Sequence, residues 1–228
     1  MNQMLRVPRE ETSLRQRATQ TLRKAILDGF FTPGQKLSER ELCESLEVSR
    51  SCVRESLQHL QAEGLITHIA HRGPEITTIT AKEVSDIYEV RARLESLAGK
   101  GFACQATKDQ VNALRAKLTE LARPEVAHDR VRMLNLKNQF YDILIEGCGN
   151  LVAGQMLQQL NNRVTVLRRI SMSRPGRFTN TLLELDAIVA AIERGDGETA
   201  ARLCEEHVHK AADNVLQCMP LPAVNSET

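Results

Sequence analysis

LSERELCESLEVSRSCVRESLQHLQAEGLITHIAHRG, residues 37–73, is the stretch on which the rest of the chain turns. Ser38 stands where a helix N-cap would, and Glu41 three residues on makes the pattern of a capping box. The helix it opens is expected to run to about Leu46, with Leu42 and Leu46 one turn apart on one face. Val48 closes a tight turn, Ser49 caps a second helix, and Val53, Leu57 and Leu60 form its inward stripe. That spacing leaves Arg50, Ser51, Cys52 and Arg54 on the outward side of its first turns. After Gly64, the segments Leu65–Ile69 and Ile76–Ile79 read as two strands joined by a turn over Ala70–Pro74, with His71, Arg72 and Gly73 at the tip.

A buried brace helix followed by a helix that presents its N-terminal side chains is what reading a DNA major groove requires. Arginine pairs with guanine O6 and N7 through two bonds, serine contacts a base or a phosphate, and a helix N-terminus favours a phosphate oxygen. A helical hairpin with a solvated charged face would share the helical pattern. The caps, the turn, the two arginines and the wing together favour the DNA-reading arrangement.

These residues carry a resemblance. Residues 13–79 resemble the winged helix-turn-helix domain of the GntR family of bacterial transcription regulators, through PGQKLSERELCESLEVSRSCVRESLQHLQAEGLI and the HRG turn. The resemblance implies DNA contacts from Arg40, from Ser49, Arg50, Ser51 and Arg54, and from Arg72 and Gly73 in the wing. Cys52 departs from the family, whose members often carry threonine or proline there.

The totals set bounds. At 228 residues, 26% charged and 42% hydrophobic, the chain has room for one large or two modest globular domains. Aromatics at 3% and no Trp leave a core of Leu, Ile, Val and Ala, which favours packed helices. Net charge is +1, and residues 1–80 hold 11 Lys/Arg against 10 Asp/Glu, so DNA affinity must come from local placement of charge. Six cysteines at 43, 52, 104, 148, 204 and 218 form no C-x-x-C pair and follow no signal peptide. They read as reduced residues of a cytoplasmic protein, and no apolar run approaches the length of a membrane span.

In chain order, residues 1–12 read as a flexible arm. A helix from about Ser13 to Gly29 has Ala18, Leu22, Ile26 and Leu27 as its buried stripe and Arg15, Arg17, Arg23 and Lys24 as a solvated face. Thr80 is a helix cap, so the DNA-binding domain spans 13–80, with a short link to the second domain. Residues 81–218 then read as helix after helix, starting near Ala81, Lys108, His128, Leu151, Asn180 and Glu198, with SRPGR (173–177) as a loop. Residues 219–228 read as a tail. The expected fold is mainly α, an N-terminal winged helix-turn-helix with a small β-wing and a C-terminal all-α helical bundle.

DIYEVRARLES, NQFYDILIEGCGN and LDAIVAAIERGDGETAARLCEEHV resemble the all-helical FCD domain of the FadR-type branch of the same family. The resemblance implies a homodimer and a small effector bound inside the bundle, commonly an organic acid held by a divalent metal. Its metal ligands are an Asp and a His four residues apart, so that both share a helix face, and two further His. Aligned on this sequence they fall on Lys137, Tyr141, Leu185 and His207, so only the last is kept and the metal site is expected to be lost. A slip of one residue would offer Asn138 or Asp186, against the apolar face of Leu182, Leu185, Val189 and Ile192.

Lys137 at an inward position suggests that its ammonium replaces the metal, pairing with an effector carboxylate or phosphate beside the Tyr141 hydroxyl, His207 and Arg91. Plainer roles stand beside this. Lys137 would snorkel to solvent, Tyr141 would fill space, His207 would be a satisfied core histidine, and Arg91 would pair with Glu95. His209, Arg168–Arg169, Arg174 and Arg177 are weaker signals, which a solvated face or the dimer surface explains as well as a ligand does. An enzyme on a helical bundle is the alternative class, but no H-E-x-x-H, repeated E-x-x-H, nucleophile elbow or phosphate loop is present. The function expected is an effector-responsive repressor that binds a two-fold operator as a homodimer. A dimer whose ligand pocket has degenerated is the alternative.

Overall fold

Hydroxyl caps start the short helices of the N-terminal part. In the computed structural model, which describes residues 14–172 and 174–219, Ser38 Oγ accepts from the Glu41 N–H at 3.4 Å and Ser49 Oγ from the Cys52 N–H at 3.3 Å. They open α2 (Glu39–Leu46) and α3 (Arg50–Ala62). Among the described residues the reciprocal half of a capping box is seen at Thr80–Glu83 and Thr107–Gln110 rather than at Ser38. Between α2 and α3 the chain reverses through Glu47, whose φ of 54° is left-handed and whose N–H returns to the Cys43 carbonyl. Residues 1–13 and 220–228, which hold the expected arm and nearly all of the expected tail, lie outside the described residues, as does Ser173.

The chain divides between Thr78 and Ile79 into two units. In unit 1, α1 (Leu14–Asp28) buries Ala18, Thr19, Leu22 and Ile26, while Leu27 is only half-buried. Thr19 replaces it on the buried stripe because its hydroxyl donates to Ser56 Oγ, 2.9 Å away inside the core against α3. Arg23 is not part of a solvated face. It grips Glu63 just past the end of α3 through Nε (2.8 Å) and Nη2 (2.5 Å).

The wing is β1 (Ile66–Ile69) and β2 (Gly73–Ile76), antiparallel with Ile66 opposite Ile76 and Ile69 opposite Gly73. The second strand therefore begins three residues before the expected Ile76. Pro74 reads as a turn residue because it lacks an N–H, but near the start of a strand that loss is tolerated. Its carbonyl accepts from the Leu37 N–H, and the Ile76 N–H donates to the Gln35 carbonyl, so β2 is also held on its other side by residues 35–37.

Among the described residues every regular element of unit 2 is a helix. It comprises α4 (Ala81–Gln105), α5 (Lys108–Leu121), a 3-10 turn (Pro124–His128), α6 (Arg130–Glu146), α7 (Leu151–Ser171), α8 (Arg177–Glu193) and α9 (Gly197–Cys218). The long α4 runs along α9 and also meets α6, α7 and α8. One apolar cluster gathers Phe102, Leu114, Phe140, Leu144, Leu185 and Ile188, and another gathers Val84, Tyr88, Val164, Leu167, Val208 and Val215. α8 starts three residues before the expected Asn180, which moves Arg177 from a loop to the first position of a helix.

Gly101 on α4 lies so close to the turn after α6 that a Cβ there would overlap the Cys148 carbonyl oxygen. Because the obstacle is backbone, it cannot swing aside as a flexible side chain would. Gly101→Ala is therefore expected to destabilise the protein by about 1–3 kcal/mol, the range for overpacking. The midpoint of denaturant unfolding measures this, and an unchanged midpoint would show that the turn yields freely.

Candidate functional site

The outward face of unit 1 bears the sequence-predicted DNA residues. Arg40, Ser49, Arg50, Ser51, Arg54 and Arg72 are exposed, and Gly73 is half-buried. Arg54 is not loose, since its Nε donates to Glu39 Oε2 at 2.8 Å and α2 thus steadies a side chain of α3. Arg40 lies 4.0 Å from Glu44. Ser49 already serves as a cap and shares a 3.0 Å bond with Ser51 Oγ, so much of its bonding capacity is used within the helix start. At the wing tip His71 (φ 63°) and Gly73 (φ 87°) turn the chain in left-handed conformations, which lets Arg72 stand exposed between them. A groove between α3 and the wing is lined by Arg54, Gln58, Gln61, His68 and Pro74. Sequence reasoning does not single out Gln58, Gln61 or His68, although Gln58 follows Arg54 by one turn on the same face.

Inside unit 2 the four predicted effector residues are all buried: Arg91 (1% exposed), Lys137 (3%), Tyr141 (3%) and His207 (1%). Arg91 makes the ion pair expected of it, Nε to Glu95 Oε1 at 2.5 Å, and its Nη2 donates to Tyr141 Oη at 3.3 Å. Its guanidinium carbon lies 5.2 Å from the Tyr88 ring centroid and 5.5 Å from that of Tyr141. Burial works against the Arg91 charge, but Glu95 and the tyrosines outweigh it and hold its pKa up. Lys137 does not snorkel. Among the described residues its ammonium has neither a hydrogen-bond partner nor an ion pair. Burial, followed by the like charges of Arg168, Arg91 and Arg177, pushes its pKa well below the ordinary 10.5.

Two arginines that the sequence leaves open between a surface and a ligand role are interior. Arg168 (4% exposed) lies 4.0 Å from the centroid of the Tyr141 ring and donates through Nη1 to Asn138 Oδ1 at 2.7 Å. Arg177 (3% exposed) donates through Nη1 and Nη2 to the two oxygens of Glu184 at 2.7 and 2.9 Å. His207 Nδ1 meets the same carboxylate at 2.5 Å. Arg174 and His209 do stay on the surface. Burial pushes His207 down to about 4 against the pull of Glu184, so near neutral pH the imidazole is uncharged and its Nδ1–H donates to the carboxylate. Burial alone would raise Glu184, yet the bonds from His207 and Arg177 hold it at about 2.

The family's metal does not fit these residues. At its four positions stand an amine, a phenol that burial keeps protonated, a fully buried hydrocarbon at Leu185, and one imidazole already committed through Nδ1. The slipped alternatives fail too, because Asn138 is engaged by Arg168 and Asp186 is exposed and paired with Arg115. Among the described residues no three His, Cys, Asp or Glu come together to hold an ion.

Between its folded pKa and 10.5, Lys137 carries a proton in the unfolded chain that it lacks in the folded one. It therefore detracts from stability across neutral pH. Lys137→Met is expected to raise Tm by roughly 3–6 °C by removing an unpaired buried polar group, and a lowered Tm in a calorimetric scan would count against this account. The lowered His207 has the same sign. The unfolded chain takes up a proton near 6.5 and the folded one near 4, so stability falls as pH drops through that window, and Glu184 continues the loss between 4.5 and 2. Denaturant melts at stepped pH should show the 6.5-to-4 decline shrinking in His207→Gln.

Comparison with known proteins agrees with this geometry. Residues 14–76 match the family described as bacterial regulatory proteins, gntR family, and residues 86–210 match the FCD domain. The Nta operon transcriptional regulator of Aminobacter aminovorans is 30% identical over 82% of this chain and 87% of its own. The HTH-type transcriptional repressor RspR of Escherichia coli K12 is 25% identical over 86% of each. In structure, a putative GntR transcriptional regulator from Rhodococcus sp. RHA1 superposes with a TM-score of 0.76, covering 90% of this chain and 99% of that one at 24% identity. With the helix-turn-helix and wing formed by the first unit and the helical FCD domain by the second, the chain belongs to the GntR family and is a DNA-binding transcription regulator, not an enzyme.

Proposed function

We propose that this regulator works in the cytoplasm as a homodimeric repressor, gripping a two-fold operator with two copies of unit 1 and answering to a small anionic metabolite bound within unit 2. The observation that carries the effector half is the buried group of basic side chains on α4, α6, α7 and α8, which outnumber the carboxylates beside them and include the Lys137 amine, with no acidic partner among the described residues. No resident metal takes part. The repressor sign is supported by the similarity to RspR, itself a transcriptional repressor. Two equal heads imply paired half-sites, since a two-fold protein mirrors a two-fold operator.

In this reading Arg50 and Arg54 meet base edges in the major groove, with Glu39 holding Arg54 at a fixed angle. Arg40, Ser51 and the α3 N-terminus capped by Ser49 take phosphates, and Arg72 with Gly73 brings the wing against the backbone or minor groove. The effector contacts Arg91, Lys137, Tyr141 and His207 and favours one arrangement of the two heads over the other.

Binding to an operator selected from random duplexes tests the DNA half. Arg50→Ala and Arg54→Ala should each cost about 1–3 kcal/mol and relax preference at one position per half-site. Arg40→Ala should weaken all sequences alike and flatten the salt dependence by about one counterion. A footprint over one half-site by a protein of single-chain mass in light scattering would overturn the homodimer.

A further inference from the structure

We infer that unit 2 selects a small dianion that also carries a hydroxyl group, a class of ligand set by Arg168, Lys137 and His207. This rests on the anionic-effector reading above and narrows it.

Charge comes first. Four basic side chains are buried together, Arg91, Lys137, Arg168 and Arg177, against two carboxylates, Glu95 and Glu184. Arg91 uses Glu95, and Arg177 uses Glu184. Arg168 and Lys137 are left with no carboxylate within ion-pair distance among the described residues. Asp142 feels Arg168 but lies exposed and unpaired to it. Arg91 and Arg168 converge on Tyr141, the first donating to its hydroxyl at 3.3 Å and the second lying 4.0 Å from its ring centroid, and Lys137 is buried one turn before Tyr141 on α6. Arg168 and Lys137 together match two negative charges, the second entering with a proton that Lys137 takes up on binding, whereas a monoanion on Arg168 leaves the Lys137 amine unprotonated and unused.

Hydrogen bonding comes second. Arg91 Nη1, Arg168 Nε and Arg177 Nε are buried donors without a partner. Together with the Lys137 ammonium they suit oxyanions. His207 Nε2 is also buried and unpartnered, and it is the opposite kind of atom. With Nδ1–H committed to Glu184, Nε2 carries a lone pair and accepts, so an oxyanion repels it and a hydroxyl satisfies it. Ser171 Oγ and Thr181 Oγ1, one helical turn from Arg168 and Arg177, are orphaned hydroxyls that complete a polar lining. An apolar acyl chain would strand all of these groups.

Two carboxylates or one phosphate monoester supply the same charge. Calorimetric titration of the full chain with four probes separates them: malate, succinate (which lacks only the hydroxyl), 3-hydroxybutyrate (which lacks only the second carboxylate) and glycerol 3-phosphate. The expected result is that malate or glycerol 3-phosphate binds at least tenfold more tightly than both succinate and 3-hydroxybutyrate. The better of the two names the source of the charge. Arg168→Gln and Lys137→Met should each weaken that binding at least tenfold; if Arg168→Gln does not fold, Lys137→Met alone decides. Equal binding of 3-hydroxybutyrate would overturn the dianion while leaving an anionic effector standing, and equal binding of succinate would overturn the hydroxyl. Heat from none of the four would overturn both this inference and the anionic effector.

Discussion

A cation taken out of water costs several kcal/mol unless a partner is taken in with it, and unit 2 buries three arginines and a lysine. That cost organises the bundle's interior. Arg91 is made tolerable by Glu95 one turn along α4 and by two tyrosine faces. Arg177 is made tolerable by Glu184 on its own helix, and Glu184 in turn by His207 on α9. Arg168 leans on the Tyr141 ring and on an amide oxygen, the weakest compensation of the three. The apolar clusters on either side supply the burial that keeps these charges in place, and they also explain why the remaining ones feel each other so strongly. Lys137 is where the compensation ends.

Unit 1 solves a different problem with shorter-range means. Its helices are too short to be stable alone, so caps, a left-handed residue at Glu47 and the Thr19–Ser56 bond set their mutual geometry. Of the exposed DNA-facing arginines, Arg54 is met by Glu39 and Arg40 lies 4.0 Å from Glu44. Glu39 holds Arg54, which limits the side-chain entropy lost on meeting a base edge. One unit therefore keeps its arginines outside and lightly steadied, while the other folds them inward at high cost.

Much of this is legible in the sequence, and the failures share a cause. The family resemblance points Lys137, Tyr141 and His207 into the bundle, and they and Arg91 are buried there. Periodicity misses Arg168, whose partners Tyr141 and Asn138 lie on another helix, and Arg177, which reads as a loop residue and so is not seen two turns from Glu184 on one helix. Glu184 escapes as well, because it lies between Leu182 and Leu185 and its partners are Arg177, in a stretch that reads as loop, and His207 on α9. Proline and glycine mislead in two places. Pro74 hides the start of a strand, and SRPGR hides the start of a helix. In both, the local breaker is outweighed by bonds to residues distant in sequence or seven positions on.

The start of α8 has an unusual support. Gly176, with φ 76°, offers no side-chain cap to the first turn, so what fixes that end is the inward pair of Arg177 with Glu184, seven residues along the same helix. Amide protons in such a turn exchange with solvent at a rate governed by how often the clamp lets go, rather than by fraying against a hydroxyl or carboxylate cap. Because Arg177 also belongs to the charged interior, the exchange clock of one exposed helical turn keeps time with the electrostatic balance of the whole bundle.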